Sequence, residues 1–419
     1  MSSPQQRLSS VANQLSTPGA ARQKLLAKNP DDVVITYLAR TPLTKARKGG
    51  LKDTSLDSLL VSLLTTVREK SNVDPNLVED VCVGNVLCPG SAYVARSAVL
   101  AAGFPVTAAA SIANRFCSSG LLAVQNIANQ IIAGSIDVGV AVGAESMSTN
   151  ADGGAPEMSE KVTSHPIASQ NEQPMGQTSE NVAAQFNISR EQHDRFAANS
   201  YQKAERAQKA GWLNDEIVPV KTQIKDPKTG EVKEVVVDRD DGIRYGTTAE
   251  GLGKIRAAFP QWKPSATTGG NASQITDGAA ALVLMKRSRA QELGQPIVGK
   301  FCGATVTALE PRIMGIGPSI AIPKILNKFG LSKDEIDLFE INEAFASMGV
   351  YCVSKLGLDE SKVNPRGGAI AIGHPLGATG ARQVVTALSE LRRQDKRVAV
   401  TSMCVGTGMG MAGIFVSEH

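Results

Sequence analysis

Aromatic residues make up only 4% of this 419-residue chain, so its core must be filled mainly by small side chains and its elements must lie close together. No run of 18 apolar residues occurs, which excludes a membrane-spanning helix. The first 20 residues are too polar to hold the apolar centre of a secretory signal, so the chain reads as soluble and intracellular. Excess charge is equally scarce: 44 Lys and Arg against 40 Asp and Glu leave a formal +4, without the concentrated basic face that nucleic-acid binding demands. The six cysteines, Cys82, Cys88, Cys117, Cys302, Cys352 and Cys404, form no C-x-x-C pair. That argues against a zinc cage or a disulfide framework, and no metal is expected.

What the chain does have is 42% hydrophobic residues, 20% charged residues and 39 glycines. This is the composition of a globular protein long enough for two or three cores, and it rules out disorder and collagen. Residues 1–30, rich in Ser, Gln, Asn and Ala and broken at Pro18-Gly19, are expected to lie outside the folded body.

The body repeats itself. Val78 to Asn85 reads like Glu335 to Asn342, each a polar turn followed by a short apolar strand ending in Asn. Cys117 lies 32 residues beyond Asn85, and His374 lies 32 beyond Asn342. Three positions on stand Gly120 and Gly377, each opening a helix of small apolar residues, and further strands follow at Val138 to Val142 and Val398 to Thr401. Gly278 to Met285 likewise resembles Gly410 to Ser417. The pattern predicts a duplicated β-α-β-α-β unit with mostly parallel sheets covered on both faces. Residues 31–147 and 265–295 form the first half and residues 296–419 the second. Residues 148–264 are a more polar insert, helical from Thr178 to Ala210, with turns at Asp226-Pro227 and Lys228-Thr229-Gly230, and are suited to carrying binding surface.

Four segments could do chemistry. In Asn114-Arg115-Phe116-Cys117-Ser118-Ser119-Gly120 a cysteine precedes a helix, where the macrodipole and unpaired N–H groups favour a thiolate and offer donors to an oxyanion; a buried small hydrophobe is the alternative. The stretch Gly367 to Gly380 places His374 before a second helix. It lacks the Gly-Lys-Ser/Thr of a nucleotide loop and the acidic partner of a dinucleotide site. If the halves are related by a twofold axis, His374 would meet Cys117 and could take its proton. Ser402 to Gly410 puts Cys404 at a strand end before alternating glycines, among them Gly406, whose N–H could face a ligand. Glu340 to Ala346 ends a strand at Asn342, which could orient water or a carbonyl.

Together the blocks NRFCSSG, NEAF, GGAIAIGHPLGATG and CVGTGMG, in that order, resemble the signature blocks of the thiolases. The likeness covers the chain from about Val33 to its end. NRFCSSG and CVGTG are closer to the degradative branch, which acts on 3-ketoacyl-CoA, than to the acetoacetyl-CoA enzymes. Pro174, where some of the latter have His, removes a polar contact near the acyl end.

The resemblance implies a layered α-β-α-β-α fold of two homologous α/β halves plus an inserted loop domain. It implies thiolytic cleavage through an acyl group on Cys117, with His374 as its base and Cys404 as the second acid and base. Asn342 with His374 would hold the enolate oxygen, and the N–H groups of Cys117 and Gly406 the tetrahedral oxyanion. CoA would be a substrate rather than a cofactor. Arg244 would meet its adenine and Ser273 its pantetheine, while Met175, Phe259 and Met314 would line the apolar tunnel. A homodimer is expected. Arg7-Leu8, a five-residue gap, and Gln14-Leu15 resemble an N-terminal peroxisomal signal, with Arg7, Leu8, Val11 and Leu15 on one helical face. That implies an import receptor for residues 7–15 and a place in the peroxisomal matrix. The rival readings are an acetoacetyl-CoA thiolase and a non-catalytic acyl-CoA binding protein. The remaining cysteines, His165, His193 and His419 are given no role.

Overall fold

The computed structural model describes residues 19–419; the Arg7 to Leu15 pattern lies outside them. The first half contributes β1 (Val33–Arg40), β3 (Asp80–Gly84), β4 (Ala109–Ala113), β5 (Val138–Ser146) and β8 (Thr276–Lys286), with β2 (Thr44–Lys45) paired to β8. The second contributes β9 (Gly299–Ala308), β10 (Leu338–Ile341), β11 (Val398–Val405) and β12 (Met409–Ser417). The spatial order is β4-β3-β5-β8-β1, then β9-β12-β11-β10. The two series match strand for strand, with a single bridge between Phe339 and Val363 standing in the place of β4. The halves join where Val33 to Ile35 pairs with Phe301 to Gly299.

The sheets are mixed rather than mostly parallel. β3 runs parallel to β4 and β5, and β10 to β11, whereas β8, β1, β9 and β12 pair antiparallel. The cause is visible in the second half, where a tight turn at Gly406 to Gly408 returns β11 directly into β12 and forces an antiparallel pair. In the first half residues 147–275 occupy the equivalent connection. They hold helices Met175–Gln185 and Arg190–Lys209, separated at Asn187 (φ 53°), and the hairpin of β6 (Val220–Lys225) and β7 (Val232–Val237).

Period-two alternation sorts the strands into layers. On β8, Ala280, Leu282 and Leu284 face a central core, and Ala279, Ala281, Val283 and Met285 face an outer one. On β11, Ala399, Met403 and Val405 point to the centre while Val398 and Val400 point out. Helices Leu56–Lys70 and Ser91–Ala101 cover one outer face, and Pro318–Phe329 and Ala346–Leu356 help cover the other. Helices Ser119–Ala133 and Leu376–Arg393 fill the middle, the second buried without a break from Gly377 to Leu391. One expectation changes: residues 20–26 are not outside the folded body. Ala20–Leu26 is a helix whose Leu25 packs with Ile325 and Phe339 and whose Arg22 pairs with Asp337 at 2.7 Å.

The middle helices touch backbone to backbone. A Cβ on Gly120 would stand 2.6 Å from Ala381 N and 2.7 Å from Gly377 O. One on Gly377 would meet Gly84 O at 2.7 Å and Ala144 O at 2.9 Å, and one on Gly380 would fall on the Leu121 backbone. Gly380→Ala is therefore expected to cost ~1–3 kcal/mol by overpacking, read as a lower denaturant midpoint. Gly153→Ala, with nothing within 4 Å, is the control. An unchanged midpoint for Gly380→Ala would contradict the packing described.

Candidate active site

The crossing of the two middle helices places their starts, three residues beyond Cys117 and His374, in backbone contact. The turn bearing Cys117 is built by its own motif. Phe116 adopts φ 46°, a left-handed conformation rare for an aromatic residue. Asn114 Oδ1 accepts Phe116 N–H at 3.0 Å, and Ser119 Oγ accepts Arg115 N–H at 2.9 Å. The hydroxyls of Ser118 and Ser119 donate back to Arg115 O and Phe116 O at 2.9 and 2.7 Å. Both serines of the block thus serve to hold the bend.

Cys117 is buried, with the backbone N–H groups of Gly406 and of Cys117 itself near enough to its sulfur to favour the thiolate. The family resemblance assigned these two groups to a tetrahedral oxyanion. They do not make a thiolate. Loss of water outweighs them and pushes the thiol up to about 12, with smaller contributions from Asp152 and Glu145. Burial outweighs what the helix start alone suggested.

His374 is held from several sides. Its N–H donates to Gln274 O at 3.0 Å and to Thr276 Oγ1 at 3.2 Å. The preceding Gly373 sits at φ 105°, where a side chain would also run into Thr276. The ring reaches Thr379 Oγ1 at 2.6 Å through Nδ1 and Asn342 Nδ2 at 3.3 Å through Nε2. Burial, and then the charge of Arg382, lowers its pKa to about 3, so the imidazole is neutral. Asn342 lies just past β10, its N–H on Ser402 O at 2.9 Å, and its Oδ1 is buried without a protein partner among the described residues.

Cys404, on β11, is fully buried with Sγ 3.7 Å from Met348 Sδ. Burial first, and then neighbouring Cys117, hold its thiol well above the ordinary range. Desolvation dominates there, and among the described residues no cation is a cause that offsets it. The resting site holds two protonated thiols and a neutral imidazole.

Of the apolar tunnel residues, Met314 and Met175 gather with Met348 around Cys404. Phe259 stands one step away, its ring against Gly176 and 5.4 Å from the Trp262 ring centre. Ser273 donates its N–H to Ala344 O at 3.0 Å, which ties the loop before β8 to the NEAF block. Arg244 is exposed, with its guanidinium 5.8 Å from the Tyr201 ring centre. Neither Arg244 nor Phe259 joins the cluster around Cys404.

Three contributors escaped sequence reasoning. Met348 carries no chemical signal. Thr379 follows His374 by five residues inside the motif, which was the one available hint. Glu145 is buried at the end of β5 and accepts from Asn85 Nδ2 (2.9 Å), Val86 N (3.1 Å), Leu87 N (3.2 Å) and Gly377 N (2.9 Å). Its pKa is raised to about 7 because burial outweighs those four donors. It binds the strand of one half to the helix start of the other. Among the described residues no group of three or more His, Cys, Asp or Glu is arranged to hold a metal.

Comparison with known proteins agrees with this geometry. Residues 33–288 match the thiolase N-terminal domain and residues 295–417 the thiolase C-terminal domain. A peroxisomal 3-ketoacyl-CoA thiolase of Yarrowia lipolytica is 52% identical over 98% of this chain and 100% of its own length. Peroxisomal 3-ketoacyl-CoA thiolase B of Rattus norvegicus is 51% identical over 92% and 90%. Among solved structures, the dimeric peroxisomal thiolase of Saccharomyces cerevisiae superposes with a TM-score of 0.87 at 46% identity, covering 94% of this chain and 100% of that one. An acetyl-CoA acetyltransferase of Bacillus anthracis gives 0.83 at 36%, with the same coverage. With its duplicated halves, its paired helix starts and these full-length likenesses, the chain belongs to the thiolase family.

Proposed function

We propose that Cys117, His374, Cys404 and Asn342, with the N–H groups of Cys117 and Gly406, carry out the thiolytic cleavage of a 3-ketoacyl-CoA. The chain acts as an acetyl-CoA C-acyltransferase of peroxisomal β-oxidation, consistent with relatives about half identical to it over almost its whole length. The observation that carries the residue roles is the backbone-to-backbone meeting of the helix starts that follow Cys117 and His374, with Asn342 on the His374 ring and Cys404 beside Cys117.

Cys117 Sγ attacks the keto carbon C3 while His374 takes its proton. The N–H groups of Cys117 and Gly406 receive the oxyanion. The C2–C3 bond then breaks, its electron pair goes to C2, and the enolate oxygen is met by His374 and Asn342. Cys404 gives its proton to C2, and acetyl-CoA leaves. The remaining acyl group is a thioester on Cys117. The Cys404 thiolate takes the proton of the incoming CoA thiol, whose sulfur attacks the thioester, and His374 returns its proton to Cys117. Because both thiols are protonated and the imidazole neutral at rest, charge appears only as bonds change.

Met175, Met314 and Phe259 serve the apolar part of the substrate, Ser273 the pantetheine and Arg244 the adenine. CoA enters as a substrate, and no resident cofactor is assigned. The yeast structure is of a dimeric thiolase, which supports a homodimer here. Residues 7–15 are assigned to an import receptor on their pattern alone.

Mass spectrometry after mixing the protein with a 3-ketoacyl-CoA in the absence of free CoA should find the acyl group on Cys117. Cys117→Ser should lose the adduct and at least ~10³-fold in turnover while still binding CoA; near-normal turnover would refute the nucleophile. Cys404→Ser should slow both half-reactions by ~10²–10⁴-fold, and if neither slows the second acid is misassigned. Turnover of a long-chain 3-ketoacyl-CoA should be measurable beside that of acetoacetyl-CoA. Exclusive use of the four-carbon substrate would favour the acetoacetyl-CoA reading instead.

A further inference from the structure

We infer that Thr379 is a positioning residue that locks His374 in the tautomer carrying its proton on Nδ1. The inference rests on the proposed role of His374 as the base for Cys117, and it deepens that role. A base must present a lone pair. In a neutral imidazole only one of the two ring nitrogens has one, and the hydrogen bonds around the ring decide which.

Both ring nitrogens of His374 have a defined neighbour. Nδ1 lies 2.6 Å from Thr379 Oγ1, and Nε2 lies 3.3 Å from Asn342 Nδ2. The threonine hydroxyl has a single proton and a second partner, Pro375 O, to which it donates at 3.2 Å. Once that proton is directed to the carbonyl, Oγ1 can meet Nδ1 only as an acceptor, so Nδ1 carries hydrogen. Nε2 is then left with its lone pair, which is what the N–H of the Asn342 amide requires. The opposite arrangement, with Thr379 donating to Nδ1, would set an Nε2 proton against the Asn342 amide donor. His374, Asn342 and Thr379 are all buried, so water cannot relieve such a clash, and the unmet buried donor would keep its full desolvation penalty. With Asn342 Nδ2 turned to the ring, one proton arrangement satisfies both ring contacts, and it leaves Nε2 as the base.

The choice of a hydroxyl also bears on the proton's return. A carboxylate at this position would orient the ring equally well and would stabilise the imidazolium by its charge. Thr379 is neutral, while Arg382 and the burial act against a charged ring. The proton taken from Cys117 is therefore held weakly and is readily given back when CoA collects the acyl group. Helical geometry makes the placement possible: Thr379 N–H donates to Pro375 O at 3.1 Å in the first turn, which brings the Thr379 side chain back beneath the imidazole.

The test uses the full chain with histidine labelled in both ring nitrogens. With four histidines in the sequence, His374 is identified by the signal lost in His374→Asn. Nitrogen chemical shifts should show a protonated Nδ1 and an unprotonated Nε2 in the parent protein. Thr379→Val, which keeps the shape and removes the acceptor, should convert a substantial fraction to the Nε2–H form. It should also lower kcat by roughly tenfold to a hundredfold with KM changed less than threefold. Thr379→Ser should restore both the tautomer and kcat to within a few-fold. Should Thr379→Val fail to fold, the parent tautomer and the Thr379→Ser spectrum still decide the matter. An Nε2–H form in the parent protein, or full kcat with an unchanged tautomer in Thr379→Val, would overturn the inference. If His374→Asn keeps normal turnover, the role of His374 itself fails, whichever tautomer the spectra report.

Discussion

The structure depends on one contact, the backbone-to-backbone meeting of the helices that begin at Ser119 and Leu376. Gly120, Gly377 and Gly380 have no Cβ, and a methyl group at any of them would enter the facing main chain. Because helix axes approach closely only over small residues, these positions set how near the two halves can come. They lie within six residues of Cys117 and His374. The packing that closes the central layer therefore also assembles the site, and the low aromatic content follows from the same requirement. Glu145 reinforces the meeting by placing a carboxylate of the first half on the Gly377 N–H of the second.

Closing the layer this tightly excludes water, and exclusion of water governs the electrostatics. Cys117 stands near two backbone N–H groups and still has its pKa pushed up to about 12. His374 is held down to about 3. In such surroundings a preformed ion pair would be expensive, and the site instead keeps its proton carriers neutral. In the proposed mechanism the same dryness would strengthen the donors of Cys117 and Gly406 toward an oxyanion.

Much of this was legible in the sequence because the duplication preserves spacing. Asn85 and Asn342 each end a strand, Cys117 and His374 each precede a helix, and the order of strands repeats. Two expectations of the fold failed. A mostly parallel sheet was expected from alternating strands and helices, but the short turn at Gly406 to Gly408 and the long insert in its place in the first half both return the chain antiparallel. Residues 20–30 were read as tail from polar composition, although Ala21, Leu25 and Leu26 supply an apolar stripe that finds the second half. The first came from taking each alternation of strand and helix as a crossover, and the second from a composition that is silent about a partner distant in the chain.

The sequence by itself determined the kinds of group available, their spacing along the chain and the family to which they belong, because motif chemistry and repeat length are local properties. Tertiary structure decided which groups meet and in what state. Burial is a property of the whole packed assembly, so the Cys117 thiol proved protonated where the helix dipole alone suggested otherwise. Hydrogen-bond partners such as Glu145 for Gly377 come from different halves and are brought together only when the glycine-lined helices close. Six cysteines look alike as letters; the fold buries Cys117 under two backbone donors and sets Cys404 beside it, and that difference in surroundings is what assigns their chemistry.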